Sequence, residues 1–192
     1  MAPGQATIPE ARTQSSVEKE GLELADHIAQ ASMLIRRPVA EVFDAFVNPD
    51  TITKFWLEST TGPLEKGAQV RWRFMVPGAT ETVTVIAFED KKRIAFEWSD
   101  GNSVNMLFEA HGNGATRLAV EVTGFENESE VVNATEGFSI VLCDLKTLLE
   151  SGRSANLVRD KAELIAAPEQ AGMNGCMNRR RNDGMDEEDD EV

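Results

Sequence analysis

The chain has 192 residues, 41% of them hydrophobic, enough for one well-buried core and too few for two ordinary domains. Its formal charge of −14 and pI near 4.6 exclude a basic nucleic-acid footprint and a general affinity for anionic membranes. No apolar run approaches the ~18 residues of a membrane span, and the opening MAPGQATIPEARTQSSVEKEG has no apolar signal-peptide centre, so a cytoplasmic protein is expected.

Residues 1–23 are rich in Pro, Gly, Ser, Thr and charge without a sustained period, which predicts a flexible arm. A folded domain is expected over 24–165. A first strand falls between His27 and Arg36, where HIAQASMLI alternates imperfectly. Pro38 ends it. Val39, Val42, Phe43 and Phe46 then recur at i, i+3, i+4, i+7, the stripe of a short helix that Pro38 suits as part of the first turn. Asn48, Pro49 and Asp50 make a second helix start, with Asn as the cap, and Ile52, Phe55 and Trp56 give the next apolar face.

After the turn-rich TGPLEKG come strand-like runs. Val70, Trp72, Phe74 and Val76 alternate with Arg71, Arg73 and Met75. In ETVTVIAFED either Val83, Val85 and Ala87 or Thr82, Thr84, Ile86 and Phe88 could face inward, and the pattern does not choose. Ile94, Phe96 and Trp98 share a face in RIAFEW. The runs NSVNMLFEA and TRLAVEVTG flank HGNGA, whose Asn113-Gly114 pair tolerates the positive φ of a tight hairpin; Val104, Met106 and Phe108 should meet Leu118, Val120 and Val122. A long helix is predicted from about Ser129 to Ser151, its stripe carrying Val131, Ala134, Phe138, Val141, Leu142, Leu145, Leu148 and Leu149, with Gly152 as terminator. Residues 166–192 read as a disordered tail, with Arg179, Arg180 and Arg181 preceding an acidic run.

A long helix laid across a curved antiparallel sheet is a two-layer α+β solution. RRPVAEVFDAFVNPDTITKFW, the strands through RIAFEW, the HGNGATRL hairpin and GFSIVLCDLKTLLESG resemble the helix-grip proteins of the START-like or SRPBCC superfamily. The branch they are most similar to is the one related to the C-terminal domain of the activator of Hsp90 ATPase. The resemblance implies six or seven strands wrapped around the long helix, two short helices after the first strand, and an internal cavity. It also implies that Pro38 to Trp56 frames the cavity and that the turn after Trp56 gates access.

The cavity walls expected from this arrangement are Trp56, Trp72, Phe74, Val85, Phe96, Trp98, Met106, Phe108, Val120, Phe138, Val141 and Leu142, suited to a small hydrophobic molecule. No cofactor, metal site or catalytic constellation is expected. GFSIV lacks the second Gly of a nucleophile elbow and lies in a helical pattern. Glu97, Glu109 and Glu121 fall opposite the apolar faces, which leaves no buried carboxylate for acid or base work. Cys143 and Cys176 are too few for a disulfide framework. Two further functions are implied by the resemblance: a cyclase or aromatase acting on polyketides, and a module that binds a chaperone such as Hsp90.

Overall fold

The computed structural model describes residues 27–166. The arm expected over 1–23, and all but the first residue of the tail expected over 166–192, lie outside the described residues. Seven strands form a single antiparallel sheet: β1 (Ala29–Ile35), β2 (Leu57–Thr60), β3 (Gln69–Phe74), β4 (Thr80–Glu89), β5 (Arg93–Glu97), β6 (Ser103–His111) and β7 (Ala115–Thr123). Their order is β1-β7-β6-β5-β4-β3-β2, so the first two strands occupy opposite edges. The connection between them is helical: α1 (Val39–Val47) and the single turn α2 (Pro49–Ile52). The long helix α3 (Glu128–Ser151) lies against the sheet, and α4 (Leu157–Ala166) follows it. This is the helix-grip arrangement.

Local chemistry explains the element ends. Asn48 caps α2, its Oδ1 accepting from the Asp50 N–H at 2.9 Å, with Pro49 next in the position that needs no donor. Pro38 sits at the cap of α1 rather than inside its first turn. At α3, Asn127 Oδ1 accepts from the Glu130 N–H at 3.1 Å while the Glu130 carboxylate accepts from the Glu126 N–H and the Asn127 amide. Gly152 ends the helix at φ 77°, and its N–H donates to the Leu148 carbonyl. The β6–β7 turn takes positive φ at Asn113 and Gly114, as their sequence predicts.

The alternation that the sequence left open in β4 is broken by a bulge. Val85 pairs with Phe96, yet Ala87 pairs with Ala95 and Phe88 with Ile94, so the extra residue Ile86 points to solvent. Val83 and Val85 are therefore inward before the bulge, and Phe88 packs inward after it, its ring 5.4 Å from that of Phe43. Thr82 and Thr84 do not enter the core. The strand ending in Phe74 is shorter than expected: Met75 and Val76 belong to the turn that leads to β4. β1 turns Ala29, Ala31, Met33 and Ile35 toward the core and leaves Leu34 exposed. Met106 opposite Val120, Val104 opposite Val122 and Phe108 opposite Leu118 form the cross-strand pairs expected.

The C-terminal half of α3 is pinned to the end of β1. Lys146 Nζ donates to the Leu34 carbonyl at 2.8 Å, Arg37 Nε donates to the Leu149 carbonyl at 2.7 Å, and the Arg36 N–H donates to Glu150 at 2.7 Å. No comparable polar tie joins the N-terminal half to the strands beneath it among the described residues. In that half Phe138 packs its ring 5.7 Å from that of Trp56.

Candidate functional site

Where the N-terminal half of α3 passes over the sheet, a pocket of about 420 Å³ opens. Its floor and near side come from Trp56, Phe74 and Trp98, its roof from Ala134, Gly137, Phe138, Ile140 and Val141 of α3. The turn Met75–Ala79 forms one rim, and Val158, Lys161, Ala162 and Ile165 of α4 form the opposite one. The volume lies within the ~300–1,000 Å³ common for small-molecule sites.

The aromatic side chains meet edge to face, apart from the tilted Phe74–Trp98 pair. Trp56 stands 4.9 Å from Trp72 and 5.7 Å from Phe138, and Trp98 stands 5.2 Å from Phe96 and 5.8 Å from Phe74. Trp72 closes the network at 5.3 Å from Phe96. Such packing leaves each ring fixed by its neighbours before any ligand arrives. Trp56 is 6% exposed and Phe138 9%, while Phe74 and Trp98 are half-buried and present more of their rings to the opening.

Trp98 lies just beyond β5, and the turn that carries it is held from the β4 side. Glu81 Oε1 accepts from the Ser99 N–H at 2.9 Å and from the Thr82 N–H at 3.0 Å. Partial burial opposes ionisation of Glu81, but the hydrogen bonds from Ser99 and Thr82 outweigh it and hold the carboxyl below its ordinary range. The Trp98 N–H itself donates to the Asn102 carbonyl at 2.9 Å.

The expected wall residues divide into two groups. Trp56, Phe74, Trp98, Phe138 and Val141 line the pocket. Trp72, Val85, Phe96, Met106, Phe108, Val120 and Leu142 lie in the sealed core beside or beneath it. Two features corrected by the structure concern the rims. The turn after Trp56 does not border the pocket: Leu64 is buried there, its N–H donating to the Val47 carbonyl, and the turn at the opening is Met75–Ala79 instead. The α4 wall was the larger omission, although Val158, Lys161, Ala162 and Ile165 fall at i, i+3, i+4, i+7 and so were legible as one helix face.

A buried carboxylate does exist, contrary to the sequence expectation. Asp144 of α3 is 1% exposed. Its Oδ1 accepts from Ser154 Oγ at 2.7 Å and from the Ala155 N–H at 2.9 Å, while Oδ2 faces the Val158 N–H at 3.5 Å. Those donors commit it to holding the α3–α4 connection, and it does not line the pocket. Among the described residues no buried side-chain nitrogen or oxygen lacks a partner, and no group of three or more His, Cys, Asp or Glu is arranged to hold a metal ion. No described helix is long and apolar enough to cross a membrane. Ser139 of the GFSIV segment donates to the Thr135 carbonyl within α3, as its helical setting predicts.

Among the described residues the only charged side chain lining the pocket is Lys161, whose Nζ lies 2.7 Å from Glu136 Oε1. The pair sits at the rim, with the Lys161 side chain 37% exposed and Glu136 52%.

Sheet order, crossing helices and an apolar pocket under the long helix define a helix-grip protein. The model for the Activator of Hsp90 ATPase homolog 1-like protein family matches residues 36–150, and the chain belongs to that family. Among solved structures it is similar to the protein SSP2350 from Staphylococcus saprophyticus, with 27% identity, a TM-score of 0.61, and coverage of 66% of this chain and 94% of that one. It is similar in fold to the Aha1 dimer from Colwellia psychrerythraea, with 16% identity, a TM-score of 0.61 and coverage of 66% and 98%. CalU16 from Micromonospora echinospora shares the fold at 17% identity and a TM-score of 0.54, with coverage of 71% and 92%. A search of the curated proteins returns no match.

Proposed function

We propose that the protein binds a small hydrophobic molecule in the pocket between α3, α4 and the strand ends around Phe74 and Trp98, and that it acts in the cytoplasm without a cofactor. The observation that carries this reading is the composition of the wall: four pre-packed aromatic rings, Trp56, Phe74, Trp98 and Phe138, around about 420 Å³ of space. Affinity then comes mainly from apolar burial, ~25 cal/mol per Å² before the costs of association are subtracted. Among the described residues no carboxylate, imidazole, hydroxyl or thiol lines the pocket, and this supports holding a molecule over cyclising or aromatising one. One observation favours a second reading, docking to a chaperone or another protein: Leu164 and Ile165 are exposed on α4, and Ile165 borders the opening.

Native mass spectrometry of gently purified full-length protein tests the first reading. A discrete extra mass that is lost on denaturation is expected, and Phe138→Asp should abolish it while cooperative unfolding is retained. An adduct that survives in a folded Phe138→Asp variant would place the ligand elsewhere. Bare wild-type protein that also fails to take up N-phenyl-1-naphthylamine would favour the partner-docking reading.

A further inference from the structure

As lined by the described residues, the pocket is apolar except at one point on its rim. Lys161 lines the wall from α4, and its part-exposed ammonium is paired with Glu136 just outside the lining, the usual compromise of a long cationic side chain beside apolar surface. Its partner Glu136 is more exposed than Lys161 and does not line the pocket. An exposed ion pair of this kind contributes little net stability, so the ammonium can exchange Glu136 for another anion at small cost.

Resting on the pocket reading above, we propose that the bound molecule is amphipathic, with its apolar body among the aromatic rings and an anionic headgroup (a carboxylate, sulfonate or phenolate) paired with Lys161 at the rim. Among the described residues the deeper wall offers no charged partner, and an acid sunk there would lose its hydration without compensation. At Lys161 the same acid stays partly hydrated and gains a charge-assisted hydrogen bond. A cationic headgroup meets like charge at that position. The chain's formal charge of −14 opposes an incoming anion at long range, but beyond ~8 Å that field is largely screened at physiological ionic strength, which leaves local pairing to decide.

The protein reports its own occupancy. It has no tyrosine and three tryptophans, of which Trp56 and Trp98 line the pocket and Trp72 packs 4.9 Å from Trp56. Intrinsic emission therefore originates at the site. The experiment compares two probes that differ only in an anionic group, 8-anilinonaphthalene-1-sulfonate and N-phenyl-1-naphthylamine, titrated into full-length protein and followed by tryptophan quenching and probe emission.

Lys161→Met, which keeps the stem, should weaken the sulfonate probe about fivefold and leave the neutral probe within about twofold. Glu136→Gln, which frees the ammonium, should tighten the sulfonate probe alone, and added salt should erase both differences. If Lys161→Met shifts both probes equally, or neither, Lys161 is only wall and the headgroup assignment falls while the pocket reading stands. If a folded Phe138→Asp variant binds both probes as the wild type does, the pocket reading falls and the headgroup proposal with it.

Discussion

Asp144 shows how a single buried charge can serve structure. Among the described residues only it and Thr116 are buried polar side chains, and each has a defined donor or acceptor role: the Thr116 hydroxyl donates to the Arg37 carbonyl at 2.8 Å, and Asp144 accepts from the Ser154 hydroxyl and the Ala155 N–H. Asp144→Ala strands those two donors and should destabilise the fold by about 1–3 kcal/mol, measured as a shift in the urea midpoint. Asp144→Asn retains an acceptor oxygen and should cost less; equal losses would mean that charge, not hydrogen bonding, carries the effect. Asp144 leaves no mark in the sequence, because its partners, Ser154 and Ala155, sit in an irregular connection with no periodic signature. Lys161 was missed for a related reason. A lysine in a surface-like segment acquires meaning only when Phe74, Trp98 and Phe138 are found across from its stem.

At the scale of elements, α3 is docked by its C-terminal half and left free to roof the pocket with its N-terminal half. Glu150 sits at the centre of the docking, accepting from the Arg36 N–H and from Lys146 on the preceding turn. The backbone hydrogen bond from Arg36, followed by the hydrogen bond and charge of Lys146, holds its carboxyl below the ordinary range. A depressed carboxylate contributes stability that is fully present above its unfolded value, ~4.3 for glutamate, and is lost as pH falls through the folded value. The stability difference between wild type and Glu150→Gln should therefore be constant near neutrality and shrink as pH falls below that point, followed by urea denaturation across the acid range. A difference that persists unchanged into strong acid would remove the ion pair from the account. The first three helices were legible because apolar spacing and cap residues are local: Val39, Val42, Phe43 and Phe46 for α1, Asn48-Pro49 for α2, and Phe138 to Leu145 before Gly152 for α3. The β4 face was not legible, because a bulge shifts parity in mid-strand and leaves no single alternation to read.

For the whole molecule, α4 is separable from the core in a way that the other elements are not. It fully buries only Ala162, whereas the core cluster is built from the sheet, α1, α2, α3 and the segments joining them. Truncation after Asn156 should leave cooperative unfolding in place and reduce N-phenyl-1-naphthylamine binding by ~10-fold or more, since one wall of the apolar site is lost. Retained binding in the truncated chain would show that the sheet and α3 suffice. The family and the layered architecture are written in the sequence, because hydrophobic period, turn residues and helix caps act over a few positions and leave their pattern in the chain. The sequence also determines which residues are apolar enough to line a cavity. Which of them do so depends on packing: Trp72, Phe96 and Met106 satisfy the same alternation as Phe74 and Trp98, yet lie in the sealed core. That division follows from where α3 is pinned to β1 and where α4 comes to rest, and both are set by contacts between residues far apart in sequence.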